Sequence, residues 1–174
     1  MRLLSVIALG VLVTSLPNAI VHAEPAKEPR TVVFGDLQLT YDPALWSVAE
    51  RDGHLAIECS DRDCRNISVY ASMEDDPRGD GCTADAAVAG LGHMTFADEY
   101  LYEDTEGWSA RHDGLTFHFA TYYLGCRNLA GGPVLACTHH NGTTYLFEAP
   151  GKHCHTPWGI EAAVTELLLG VKPR

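Results

Sequence analysis

Histidine and cysteine are the residues here whose chemistry is worth testing first, because both ligate metals and both can act as nucleophile or base. The 174-residue chain carries nine histidines and six cysteines. Only one place sets two imidazoles on the same side of an extended backbone. In His153-Cys154-His155 the two rings stand roughly 6–7 Å apart at Cα. His153 and His155 can hold Cu or Zn if the fold brings a third ligand, which the sequence does not name. Two loop histidines flanking a cystine is the plainer reading. His139 and His140 are adjacent and point to opposite faces of a strand. His118 and His139 fall about 20 Å apart in the register proposed below.

The usual chemical signatures are missing. The sequence has no G-x-S-x-G elbow, H-E-x-x-H, phosphate loop or dinucleotide fingerprint. No catalytic residue and no cofactor is assigned. The acidic run Glu74, Asp75, Asp76 and Asp80 lacks calcium-loop spacing, and reads as solvated surface. Within it Arg78-Gly79-Asp80 spells a cell-adhesion tripeptide, which average residue usage produces in roughly a few per cent of chains this long. Trp46 and Trp108 read as core residues. An excess of acids (23 Asp and Glu against 12 Lys and Arg, net −11) argues against nucleic-acid binding.

Export makes sense of the cysteines. Arg2 is followed by an apolar run, Leu3 to Leu16, shorter than the about 20 residues a spanning helix needs. Pro17-Asn18 breaks it, and Val21-His22-Ala23 supplies a cleavage site before Glu24. Residues 1–23 are therefore expected to be a secretory signal, 24–30 a loose arm rich in proline and charge, and 31–174 one domain. The product is expected in a periplasm or outside the cell, with no membrane attachment after cleavage.

An even number of cysteines behind such a signal reads as disulfides. Cys59 and Cys64 bracket the polar turn Ser60-Asp61-Arg62-Asp63. Closing the turn at Ala130 to Pro133 symmetrically sets Cys126 opposite Cys137. Cys82 and Cys154 are left, closing a long loop worth roughly 4 kcal/mol in the chain-entropy model. The expected bridges are Cys59–Cys64, Cys126–Cys137 and Cys82–Cys154.

The elements that must position these groups follow from turn and cap signals. Thr31 to Thr40 reads as a strand broken near Asp36. Asp52-Gly53, Asp113-Gly114 and Asn141-Gly142 mark tight hairpins. Thr83 caps a helix whose first turn carries Asp85, with Ala84, Ala87, Val88, Leu91 and Met94 on its apolar face. Thr156 and Pro157 open a second helix with the stripe Ile160, Val164, Leu167, Leu168 and Val171, stopped by Gly170. Hairpin closure puts Phe117, Phe119, Tyr123, Ala136, Tyr145 and Phe147 on one sheet face, which the last helix is expected to cover. The fold class expected is α+β: an antiparallel sheet flanked by an internal helix and a C-terminal amphipathic helix, disulfide-stabilised.

The run Leu37-Gln38-Leu39-Thr40-Tyr41-Asp42-Pro43-Ala44-Leu45-Trp46 resembles the opening hairpin of the PsbP-like and DcrB-like superfamily, in which a strand ends in Tyr-x-Pro and a Trp begins the next. The order of strands and helices is similar too. The resemblance implies helices flanking a sheet, and exported or lumenal members that bind or assist rather than catalyse. Three disulfides depart from that pattern, and no site residue carries over. The function expected is that of an exported, non-catalytic binding or accessory protein with an unidentified protein or small-molecule ligand. The alternative is a periplasmic Cu/Zn-handling protein.

Overall fold

The computed structural model describes residues 28–60, 67–91, 102–124, 133–150 and 160–174. Ten strands and two helices fall within them. The N-terminal hairpin is β1 (Arg30–Phe34) and β2 (Leu37–Tyr41), followed by β3 (Trp46–Arg51), β4 (His54–Cys59) and β5 (Ser68–Asp75). Then come α1 (Ala84–Leu91), β6 (Tyr102–His112), β7 (Leu115–Leu124), β8 (Val134–His140) and β9 (Thr143–Ala149). The chain closes with α2 (Ile160–Leu168) and β10 (Val171–Pro173).

Three of the hairpins turn on the residues that favour them. Asp52-Gly53, Asp113-Gly114 and Asn141-Gly142 all carry positive φ at both positions, the conformation that suits the right-handed twist of the flanking strands. Their registers leave two residues in each turn: Arg51 pairs with His54, His112 with Leu115, and His140 with Thr143.

The strands form two antiparallel sheets. Seven associate in the order β3-β4-β5-β9-β8-β7-β6, and three in the order β1-β2-β10. Register fixes which residues share a face. Leu55, Ala71, Phe147, Ala136, Phe119 and Trp108 lie in one cross-strand row of the large sheet. Phe117 and Tyr145 continue this face through Thr138. The expected shared face is thus present, with the side chain of Tyr123 outside the described set. Phe34, Leu37 and Leu39 of the small sheet and Ile160, Val164, Leu167 and Leu168 of α2 complete the same buried cluster. Trp46 is buried there, and Trp108 stacks on Phe119 with ring centroids 5.0 Å apart.

On the opposite face α1 covers β6, β7 and β8. Thr83 accepts the Ala86 N–H on its hydroxyl at 3.1 Å, the expected cap. Gly90 lets the helix settle against the Leu135 side chain, and Gly107 lies beneath Val88. These glycines weaken the helix by propensity, yet here they permit close approach.

Two of the expected disulfides are overturned. Cys137 is bonded to Cys82, with Cα atoms 5.7 Å apart, so neither Cys126–Cys137 nor Cys82–Cys154 forms. The physical reason is register. Cys137 lies opposite His118, because β7 ends at Leu124 and the connection to β8 is longer than a tight turn. Alternation with Ala136 and Thr138 then turns Cys137 to the α1 side, where Cys82 immediately precedes the helix cap. Cys59 is disulfide-bonded, to a cysteine outside the described residues. Cys64, Cys126 and Cys154 lie there, as do residues 1–23, Met94, Thr156 and Pro157.

Val171 is the other correction. It belongs to β10, paired with Leu39, and not to the helical stripe. Gly170 ends the helix with its N–H on the Leu167 carbonyl at 3.0 Å, and its own carbonyl takes the Thr40 N–H at 2.9 Å. Sheet hydrogen bonds to β2 thus replace another helical turn.

Candidate functional site

The short turns gather at one end of the large sheet, because β3, β5 and β8 run toward it while β4, β7 and β9 run away. The Asp52, Asp113 and Asn141 turns and the loop after β5 therefore form a common rim. The Gly35-Asp36 turn of the small sheet joins it: Asn141 Nδ2 donates to Asp36 Oδ2 at 3.1 Å.

The loop after β5 is the most elaborately held part of this rim. Asp76 accepts from the Gly79 N–H on Oδ1 at 2.9 Å, and on Oδ2 from the Gly81 N–H at 2.9 Å and the Thr144 hydroxyl at 2.7 Å. Its backbone N–H donates to the Gly142 carbonyl at 2.8 Å. Its carbonyl accepts from His139 Nε2 at 2.9 Å. The Thr144 hydroxyl is the main reason the Asp76 carboxyl titrates below the ordinary aspartate value. Partial desolvation opposes this, and the Gly81 and Gly79 amides and the charge of His139 add to the lowering. Gly79 has φ +74°, and a side chain there would meet the His139 ring at 3.2 Å. Asp76 is thus a turn-organising residue and not the solvated surface its acidic neighbours suggest. The sequence signal for this is an aspartate placed three and five residues before glycines, the pattern of a side chain that organises its own turn.

A cleft of about 350 Å³ opens beside the Asp113 turn, lined by Arg111, His112, Asp113, Gly114, Leu115 and Thr116. His112 Nε2 lies 3.5 Å from Asp113 Oδ2 within it. A histidine touching a carboxylate is the contact a general base needs. Here the two are sequence neighbours on an open turn, and every lining residue belongs to one hairpin. A second imidazole contact, Ser109 Oγ to His118 Nδ1 at 2.8 Å, joins directly paired residues of β6 and β7. No carboxylate orients that histidine among the described residues.

His118 and His139 are closer than the expected 20 Å. His118 pairs with Cys137, two residues before His139 on the same face, so the two histidines are diagonal neighbours about 7–8 Å apart. Among the described residues no group of three His, Cys, Asp or Glu side chains is placed to hold a metal. His153 and His155 lie outside the described residues. Among those residues no helix is long and apolar enough to cross a membrane.

No protein-family sequence model matches the chain, and no curated protein matches it by sequence. Solved structures do match by fold. The solution structure of cyanobacterial PsbP (CyanoP) from Synechocystis superposes with a TM-score of 0.51 at 10% identity, covering 93% of this chain and 99% of that one. A crystal structure from Bacteroides thetaiotaomicron gives a TM-score of 0.36 at 12% identity, over 86% of this chain and 49% of that one. The two flanking helices, the antiparallel sheets and the CyanoP superposition together give this chain a PsbP-like fold.

Proposed function

We propose that the chain is an exported, disulfide-braced binding or accessory protein, which meets its partner at the short-turn rim and has no turnover of its own. The observation that carries this reading is the Cys82–Cys137 bridge. Such bonds persist in oxidising compartments and are rare in the cytosol. The leader-like residues 1–23 and the PsbP-like fold support the same reading. The rim supports the binding role, since loops on a rigid scaffold are where recognition residues concentrate.

Expression of the full chain in a bacterium with an oxidising periplasm tests it. The recovered protein should begin at Glu24, hold no titratable thiol and retain a stoichiometric partner from the native exported fraction. Recovery of the leader-bearing chain with free Cys82 and Cys137, or turnover on a hydrolase panel, overturns the reading.

A further inference from the structure

We propose that Arg78-Gly79-Asp80 is a docking site for an adhesion receptor of the integrin type, one that takes a carboxylate onto a bound divalent cation and a guanidinium into an acidic pocket. The proposal deepens the exported-binding reading and rests on it, because such a receptor is met only outside the cell. Base frequency alone gives the tripeptide no weight. Its placement does.

The loop is secured from one side only. Asp76 uses both carboxylate oxygens to hold the Gly79 and Gly81 amides, and Thr144, Gly142 and His139 hold Asp76. The Cys82–Cys137 bridge fixes the far end of the loop to β8. The His139 ring lies under Gly79, whose φ of +74° suits glycine. What the brace leaves outside is the pair of side chains, with Arg78 84% and Asp80 67% exposed.

Among the described residues their one contact is with each other, Arg78 Nε to Asp80 Oδ2 at 3.5 Å. An exposed pair of this kind contributes about 0–1 kcal/mol, so a partner offering each group a stronger counterpart separates them at little cost. The backbone between them is already ordered, which lowers the entropy lost on docking. Glu74 and Asp75 stand just before the loop in a chain of net charge −11. That field favours approach to the receptor's bound cation and opposes its acidic pocket, where Arg78 must supply the attraction.

The exported, oxidised protein is immobilised and titrated with a purified Arg-Gly-Asp-binding integrin ectodomain in Mn2+ buffer. Saturable binding is expected, abolished by EDTA and competed by a linear Arg-Gly-Asp peptide. Asp80→Glu keeps the charge but displaces the carboxylate by one methylene, and Arg78→Ala removes the cation. Each is expected to weaken binding at least about tenfold, the loss typical of a contact central to an interface. Asp75→Asn should bind as the wild type does. Neither Arg78 nor Asp80 belongs to the Asp76 brace, so an intact Cys82–Cys137 peptide and an unchanged melting curve confirm each fold. Absence of saturable binding, or binding indifferent to EDTA or to both substitutions, overturns the proposal. That failure leaves the export reading standing, since the N-terminus at Glu24 and the thiol count report on it separately.

Discussion

The phenol oxygen of Tyr145 accepts the backbone N–H of Asp36 at 2.9 Å. Tyr145 is rooted in the large sheet with 1% of its surface exposed, and Asp36 sits in the hairpin turn of the small one. The bond therefore joins two sheets that share no backbone ladder. Gly35 makes room for it: its φ is +59°, and a side chain there would strike the phenol oxygen at 2.7 Å.

Tyr145→Phe keeps the ring contact with Phe34 and removes only the acceptor. A loss of about 1 kcal/mol is expected in urea unfolding, the usual net worth of such a bond. Amide exchange at Asp36 should quicken. Unchanged exchange there would show that the two sheets are held without it.

The double variant Cys82→Ser/Cys137→Ser should lose about 2–5 kcal/mol, the range for removing a native disulfide from a small exported domain. Peptide mapping of the oxidised wild type should recover Cys82 linked to Cys137. A Cys126–Cys137 linked peptide would contradict the observed β7–β8 register.

Asp76 gives a pH signature. A carboxyl whose folded pKa lies below its unfolded value contributes stability that is complete above the unfolded value and disappears as pH falls through the folded one. Wild-type stability should therefore fall in acid, below the ordinary aspartate range, with a component that Asp76→Asn lacks. At neutral pH the variant should be less stable, because an amide replaces one of the two accepting oxygens. Parallel acid limbs for the two proteins would remove Asp76 as the source.

Gly170→Ala places a methyl group against the Thr40 carbonyl, a backbone atom that cannot swing aside. Overpacking of this kind costs about 1–3 kcal/mol. Loss should appear first as faster exchange at Thr40, whose N–H the Gly170 carbonyl accepts. A variant as stable as wild type would mean that α2 and β2 separate freely.

The parts of this fold legible from sequence are those set by neighbours along the chain. Asp-Gly and Asn-Gly fixed three turns because few other pairs tolerate positive φ at both positions. Thr83 identified the start of α1 because its hydroxyl acts within one helical turn. The aromatic face followed from alternation once the turns were placed. Two of the three disulfide pairings failed because a long connection let β8 slide along β7, a shift of even length that preserves which face each residue takes. Val171 failed because a helical stripe and the first residue of a buried strand look alike over so short a span. The Asp76 brace went unseen because its partners Thr144 and His139 come from strands more than sixty residues on.

The small sheet brings together strands from opposite ends of the sequence, with β2 sandwiched between β1 and β10. Its middle strand has an unpaired edge until Val171 to Pro173 arrive, however early the β1–β2 hairpin closes. A polypeptide emerging from its N-terminus must then postpone this layer until β10 has followed. Such a delay makes β10 the keystone of this layer.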